Sequence, residues 1–130
     1  MILPVLVALV GAAAQAAAES ALGAGTSWLE TVDAGRYAAS WEAAAPYFQK
    51  VIKKRKWVET LQVVRKPLGR VVSRRLYSQE VRDSLPGAPD GRYTVLKFDT
   101  SFERKRVSRE MLTLVQVPDR RWRVVGYFIR

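Results

Sequence analysis

The sequence of 130 residues contains no cysteine and no histidine. Their absence excludes thiol and imidazole nucleophiles, Ser-His-Asp triads, and zinc or haem sites that depend on thiolate or imidazole ligands. It also excludes disulfides, so the fold depends on packing alone. Carboxylate, tyrosine, lysine and arginine are the groups that remain for chemistry, and we expect neither a metal nor a cofactor.

The apolar run at the N-terminus, from Ile2 to Val10, is shorter than the roughly 20 residues that span a bilayer. Small residues follow it, and Ala14-Gln15-Ala16 fits the small-x-small pattern that signal peptidase reads. The pattern predicts a signal peptide over residues 1–16 with cleavage near Ala16 and Ala17. The mature protein is then periplasmic or secreted and has no stable transmembrane segment. Since no cysteine follows the run, a lipid-anchored lipoprotein is excluded.

This segment departs from a typical secretory signal in its charge. A signal peptide usually opens with Lys or Arg, and here no basic side chain precedes Glu19. Two explanations stay open: the true start lies upstream of Met1, or the segment is a weak signal that is retained as an anchor.

Acidic residues are few relative to basic ones, with 12 Asp and Glu against 22 Lys and Arg and a net charge of +10 at pH 7. A surface this basic attracts polyanions at low ionic strength. Two interpretations stay open, a polyanion-binding protein and a basic composition without functional meaning. The candidate anion-binding residues are Lys50, Lys53, Lys54, Arg55 and Lys56, supplemented by Arg70, Arg74 and Arg75.

The first half of the mature chain has the features of three helices. The alanine-rich segment Ala17–Ala34 predicts a helix that ends at Gly35, a typical C′ residue. Ser40 predicts the N-cap of a second helix, which Pro46 interrupts. Apolar residues recur at the helical period in a third helix, which ends around Pro67. The predicted buried stripe of this helix consists of Trp57, Leu61, Val64 and Leu68.

The second half predicts four consecutive strands with short connections. β-Branched and alternating apolar residues indicate the strands, and Gly, Pro and Asp indicate the turns. The predicted strands are Val71–Tyr77, Tyr93–Phe102, Arg106–Val117 and Arg121–Ile129. Helices followed by such a meander predict a single α+β domain over residues 17–130, with the helices on one face of an antiparallel sheet.

Apolar residues point both ways in the last two predicted strands, at Met111–Val115 and Val124–Ile129. A sheet with water on one side alternates more strictly, as Tyr93–Phe102 does. We therefore expect part of the second face to be covered, by a homodimer partner or by curvature of the sheet around a pocket, and we favour the homodimer.

Several short motifs follow one another along residues 28–130. They are Trp28-Leu29, Asp33-x-Gly35-x-Tyr37-x-x-Ser40-Trp41, Pro46-Tyr47-Phe48, Trp57, Pro67-Leu68-Gly69, Leu85–Gly91 with Tyr93, Phe98-x-Thr100-x-Phe102 and Trp122-Arg123-Val124-x-Gly126-Tyr127. In this order and spacing the chain resembles the domain of unknown function 4019 family of exported bacterial proteins. Its opening helices resemble nuclear-transport-factor-2-like (cystatin-like) cone domains. The resemblance implies N-terminal helices packed on a curved four-stranded antiparallel sheet, with no assigned activity and no catalytic residues.

The chain departs from this family at the start of the helix that holds Trp57. The family implies a Ser or similar cap followed by an acidic residue, and this chain has Lys53-Lys54-Arg55-Lys56 instead. Each cation opposes the helix macrodipole by about 0.3–1 kcal/mol at an exposed site. Tolerated drift and a local anion-binding patch both explain the change.

Asp99 is the leading candidate for a catalytic carboxylate, although a weak one. It lies on the strand face opposite to Phe98, beside Lys97. The resemblance implies that an enzyme of this fold places a carboxylate in an apolar cavity, where it acts as a general acid or base. The alternative is an exposed Asp–Lys or Asp–Arg pair that contributes about 0–1 kcal/mol.

Aromatic residues are the candidates for lining a ligand pocket, with core packing as the alternative, above all for the tryptophans. These candidates are Trp28, Tyr37, Trp41, Tyr93 and Tyr127. The sequence therefore predicts an exported, non-catalytic binding or assembly module for a small apolar ligand or a protein partner. A pocket enzyme that uses Asp99 and a polyanion-binding protein are the alternatives.

Overall fold

The computed structural model of the protein describes residues 19–130, so the predicted signal peptide and its cleavage position lie outside the described residues. The helices of this part of the chain are α1 (Ala21–Asp33), α2 (Tyr37–Glu42), α3 (Pro46–Val51) and α4 (Lys54–Val64). A short 3₁₀ helix (Lys66–Leu68) leads into the strands. These are β1 (Val71–Arg82), β2 (Tyr93–Phe102), β3 (Lys105–Gln116) and β4 (Trp122–Ile129).

The four strands form one antiparallel sheet in the order β1-β2-β3-β4, and α1 packs against β2, β3 and β4. The α+β class, with N-terminal helices on a four-stranded antiparallel sheet, is confirmed. We call the face that α1 contacts the inner face and the opposite one the outer face. β1 extends to Arg82, beyond the predicted end at Tyr77, whereas β2 has the predicted bounds.

The inner face forms the core. The alternation predicted for β2 is confirmed, since the side chains of one face are all buried: Thr94, Leu96, Phe98, Thr100 and Phe102. On the neighbouring strand Leu112 pairs with Leu96 and Leu114 with Thr94. Burying one leucine side chain contributes about 1.5–3 kcal/mol, so this two-strand centre holds the helices in place.

Both ends of α1 follow from local chemistry. Ser20 is the N-cap, and its Oγ accepts a hydrogen bond from the Gly23 N–H at 2.9 Å. Gly35 adopts φ +76° after the last turn and donates its N–H to the Val32 carbonyl at 2.9 Å. Arg36 donates to the Thr31 carbonyl at 3.1 Å, which completes a Schellman motif and confirms the predicted end.

The prediction that Ser40 caps a helix is wrong, because Ser40 lies inside α2 and is fully buried. Its hydroxyl donates to the Tyr37 carbonyl at 2.6 Å and accepts from Trp57 Nε1 at 3.0 Å. Its carbonyl accepts from Trp28 Nε1 at 2.8 Å. Ser40 therefore satisfies two tryptophan donors in the core. The predicted break at Pro46 lies between two helices, because α2 already ends at Glu42 and Pro46 is the first residue of α3.

The prediction of a buried stripe on α4 is confirmed for two of its four residues. Trp57 and Leu61 are buried, but Val64 is 45% exposed and Arg65 takes the buried position at the end of the helix, with 3% exposure. The helix stops at Val64, before the 3₁₀ turn over Lys66–Leu68, so the stripe does not continue. Burial of Arg65 brings a cation to the site described next.

Candidate functional site

A groove of about 850 Å³ opens beside the C-terminal end of α1, within the size range of ligand pockets. We call it the helical groove. It lies between the α1–α2 turn, α2, α4, the 3₁₀ helix and the β2–β3 turn. The lining includes Gly35, which has no side chain, and the small residues Ala38 and Ala39, which leave the volume open.

Arg65 is the buried cation of the helical groove. Its Nη1 donates to the Gly69 carbonyl at 2.6 Å and its Nη2 to Asp33 Oδ1 at 3.3 Å. Its guanidinium lies 4.6 Å from the centre of the Phe102 ring. The buried Nε has no acceptor among the described residues. An unsatisfied buried donor costs about 1–3 kcal/mol. The other contacts of Arg65 therefore hold the side chain in place although one of its donors has no acceptor.

A chain of ion pairs runs from the groove into the core. Asp33 accepts from Arg74 Nη1 at 2.8 Å and from Nη2 at 3.0 Å, in addition to the bond from Arg65. Arg74 Nε then donates to Glu110 Oε1 at 2.7 Å. Burial lowers the pKa of Arg74, but the hydrogen bonds to Asp33 and Glu110 outweigh it and leave the pKa above its usual range. Arg74 therefore stays charged within the network.

Glu110 is the inner end of this network and is 0% exposed. It accepts from Thr100 Oγ1 at 2.5 Å and makes a short hydrogen bond with the Tyr127 hydroxyl. Burial, followed by the charge of Glu110, raises the pKa of Tyr127 well above its usual value. With these donors and Arg74 around it, Glu110 has no surface on which a substrate could approach it.

Positive charge is in excess at the rim of the helical groove. Glu103 accepts from the Arg70 N–H at 2.6 Å, and this bond lowers the pKa of Glu103. Glu42 pairs with Lys54 at 2.5 Å. Within residues 19–130, the exposed side chains of Arg36 and Lys66 have no ion-pair partner. The groove can therefore accept an anion without displacing one of its own carboxylates.

Four of the predicted pocket residues belong to one hydrophobic core or pack against it, and Tyr93 lies apart from them. Tyr37, which is 8% exposed, lines the helical groove. Trp28 and Tyr127 pack edge to face in the core, with ring centres 5.3 Å apart. Trp41 is half-buried against the core and donates Nε1 to the Ile52 carbonyl at 2.8 Å. Tyr93 is buried on the outer face, where it donates to the Pro89 carbonyl at 2.5 Å. The structure thus does not bring the five together.

Asp99 lies on the outer face, opposite to the groove and the helices. Its Oδ1 accepts from Arg109 Nη2 at 2.9 Å, and Arg75 Nη2 lies 3.7 Å from its Oδ2. The side chain is 38% exposed. This arrangement is the exposed Asp–Arg pair, the alternative to an acid or base in an apolar cavity.

The candidate anion-binding residues lie in the last turn of α3 and at the start of α4. All of them are exposed: Lys50, Lys53, Lys54, Arg55 and Lys56. Lys53 is the N-cap and makes no side-chain capping bond, and the first turn holds no acidic residue. Lys54 pairs with Glu42, and Arg55 pairs with Glu59 at 3.4 Å. Arg70 reaches the groove rim and Arg75 the outer face, whereas Arg74 belongs to the buried network.

Sequence reasoning missed the two central residues of the site, Arg65 and Glu110. Glu110 has the same parity along β3 as Leu112 and Leu114, so strict alternation would have placed it on the inner face. Arg65 lies four residues after Leu61, on the buried stripe, but the competing Val64 favoured an apolar interpretation. Residue spacing alone therefore predicts a buried position for both, whereas hydropathy predicts that both are exposed.

Within residues 19–130, the acidic side chains form no cluster with the arrangement of a metal site. No helix of that region has the length and apolarity needed to cross a membrane.

Fold and site together define an α+β domain that combines a buried ion-pair network with a basic groove. Residues 24–127 match the family described as Protein of unknown function (DUF4019), and the chain belongs to that family. Comparisons with curated proteins and with solved structures give no match. The family expected from the motifs is therefore confirmed, and its description assigns no activity.

Proposed function

We propose that this protein is an exported, non-catalytic binding module, and that the helical groove holds a small ligand with a carboxylate or phosphate group. The observation that carries the proposal is the buried Arg65 beside a groove of about 850 Å³. The guanidinium of Arg65, positioned by the Gly69 carbonyl and by Asp33, adds a fixed positive charge to the lining of the groove.

The rim supports an anionic ligand over a neutral one. Arg36 and Lys66 contribute positive charge that no described carboxylate neutralises, and guanidinium groups match carboxylate and phosphate oxygens. Val58 and Tyr37 provide apolar surface beside them. A small molecule that carries one acidic group therefore fits the groove better than a purely apolar molecule.

The acidic groups support binding without catalysis. Each carboxylate of the groove already has a hydrogen-bond donor. Asp33 and Glu42 accept from the side chains of Arg74 and Lys54, and Glu103 accepts from the Arg70 backbone N–H. A general base needs a carboxylate within reach of a substrate proton. Here such a step would first break one of these pairs.

Export rests on the N-terminal pattern, and native mass spectrometry of the protein recovered from its own cells tests it together with ligand binding. We expect a mass that begins near Ala17 and a folded ion that retains the mass of a small acid. A chain that still carries residues 1–16 contradicts cleavage. A folded ion without added mass, under conditions that preserve known weak complexes, contradicts a resident ligand.

Substitution at the rim tests the site itself. Arg36→Ala combined with Lys66→Ala should weaken binding of the recovered acid by about 10-fold or more, because a charge-assisted hydrogen bond contributes about 1.5–3 kcal/mol. Lys53→Ala combined with Arg55→Ala removes the same charge from exposed positions outside the groove lining. Equal losses in both variants would show that net charge, and not the groove, attracts the ligand.

A further inference from the structure

The outer face of the sheet carries cations in register across neighbouring strands. Residues that pair directly across an antiparallel sheet lie on the same face. One such row consists of Arg75, Asp99 and Arg109. The next row, about 7 Å further along the strands, consists of Lys97, Met111 and Phe128.

Positive charge dominates this surface. Asp99 is shared between Arg109 and Arg75, and the Arg75 side chain is 83% exposed. Arg106 and Arg75 line a hollow of about 400 Å³ where Ser73 and Ser101 pair across β1 and β2. Asp99 also lines the hollow, but its carboxylate is paired with Arg109, so two arginines and two hydroxyls remain as donors to a phosphate group.

Apolar side chains stand exposed among these cations. Val107 is 89% exposed, Phe128 59% and Tyr77 58%. Val107 lies two residues from Arg109 on β3, and Phe128 pairs with Met111. Single exposed apolar residues are ordinary, but three beside a cluster of arginines form an amphipathic surface.

We propose that the outer face binds the surface of a membrane that contains anionic phospholipids. Arg75, Arg106 and Lys97 contact the lipid phosphates, while Val107 and Phe128 enter the headgroup layer. Anionic lipid attracts basic side chains near its surface, and the free energy of the system falls when apolar side chains leave water. This surface lies on the other side of the sheet from the helical groove, so the proposal does not depend on the ligand of the groove.

Two other occupants fit the surface less well. A second copy of the chain, placed face to face, brings arginines against arginines, with Asp99 already paired. A single-stranded nucleic acid needs open aromatic faces for its bases. The Arg109 guanidinium lies 4.0 Å from the centre of the Tyr77 ring and covers one face of it. Phe128, which is 59% exposed, is then a single open ring, and the most exposed apolar residue, Val107, offers no stacking surface.

Site-specific fluorescence tests the orientation, since the chain has no cysteine of its own. Val107→Cys and Phe128→Cys of the full chain are each labelled with an environment-sensitive nitrobenzoxadiazole probe. Val63→Cys is the matched control, because Val63 is 75% exposed on α4. With vesicles of phosphatidylcholine and phosphatidylglycerol, we expect brighter, blue-shifted emission at 107 and 128 and no change at 63. Pure phosphatidylcholine should leave all three unchanged.

Several results would overturn the proposal. An equal response at position 63 would mean that another part of the chain, such as residues 1–18, meets the membrane. A response at 128 that follows protein concentration without vesicles would indicate a second copy. A response to oligothymidylate in the absence of any response to anionic vesicles would indicate nucleic acid.

Charge removal provides an independent readout on the same vesicles. Arg75→Ala combined with Arg106→Ala should lower the vesicle partition coefficient by about 25-fold, at about fivefold for each cation near an anionic surface. Lys53→Ala combined with Arg55→Ala carries the same net charge and should change the coefficient by no more than about twofold. Similar losses in the two double variants would refute a specific outer-face contact.

Discussion

Replacing Glu110 by Gln removes one charge from the buried network while it keeps the size and shape of the side chain. The wild-type carboxylate is fully buried and accepts hydrogen bonds from Arg74, Thr100 and Tyr127. In the variant, Arg74 faces an amide instead of a carboxylate in a place that water does not reach. The perturbation therefore isolates the electrostatic share of the network from its packing.

The magnitude follows from burial. Removing one partner of a buried ion pair costs about 3–5 kcal/mol, and the lower end applies because Arg74 keeps both hydrogen bonds to Asp33. We expect the free energy of unfolding to fall by about 3 kcal/mol, a large share of the 5–15 kcal/mol typical of a domain. The melting temperature should fall by about 10 °C.

Asp99→Asn is the matched control, because Asp99 is also a strand carboxylate that accepts from an arginine on the next strand. Its side chain is 38% exposed, so the change should cost less than about 1 kcal/mol. Urea unfolding monitored by tryptophan fluorescence measures both variants. Equal losses for Glu110→Gln and Asp99→Asn, or a loss below about 1 kcal/mol for Glu110→Gln, would refute the idea that burial makes this network strong.

Three further changes test the same structure. Folding raises the pKa of Tyr127, so the unfolded chain loses this phenol proton at a lower pH than the folded protein does. Above about pH 10 the free energy of unfolding therefore falls by up to about 1.4 kcal/mol per pH unit. Urea unfolding of Tyr127→Phe at several pH values should show a smaller fall of the free energy of unfolding with pH. An unchanged pH dependence would mean that other groups cause it. Gly69→Ala should cost about 1 kcal/mol more than Gly87→Ala in thermal melts. Both glycines have positive φ, but only at Gly69 would a Cβ come 2.8 Å from Glu103 Oε1 and displace it from the Arg70 N–H, and similar costs would contradict this crowding. Lys53→Ser supplies the cap that α4 lacks and should stabilise the fold by about 1 kcal/mol in the same melts, whereas a loss would show that Lys53 has a structural role.

The order of helices and strands was predictable because the signals that define it are local. Gly35 ends α1 where its left-handed backbone completes a Schellman motif, and Pro46 starts a new helix. The alternation in Tyr93–Phe102 determined which face of β2 is buried. Each of these depends on a few neighbouring residues, and tertiary packing reinforced them.

The site was less predictable because its members come from distant parts of the chain. Asp33 at the end of α1, Arg74 on β1 and Glu110 on β3 meet only when the sheet forms beneath the helix. Each alone has the appearance of a solvated charge. Ser40 was misread for a related reason, since its hydroxyl suits a helix cap and its real partners are two tryptophans far along the chain.

Burial of Arg65 in place of Val64 shows that hydropathy does not always predict which residue is buried at the end of a helix. The spacing of four residues between Trp57 and Leu61 leads next to Arg65, and only hydropathy favours Val64 as the buried residue. The arginine is buried because the Gly69 carbonyl, Asp33 and the Phe102 ring are all within its reach. Those partners could not be known before the fold, and neither could the groove that Arg65 lines.

The most direct test of the proposed function is a nuclear magnetic resonance titration of the ¹⁵N-labelled protein with hexanoate, and with hexanol as the uncharged control. We predict saturable shifts of the backbone amides of Gly35, Arg36, Lys66 and Gly69 with hexanoate, and much smaller ones with hexanol. Shifts that do not saturate, that are equal for both compounds, or that concentrate at Lys53–Lys56 would contradict an anion-binding helical groove.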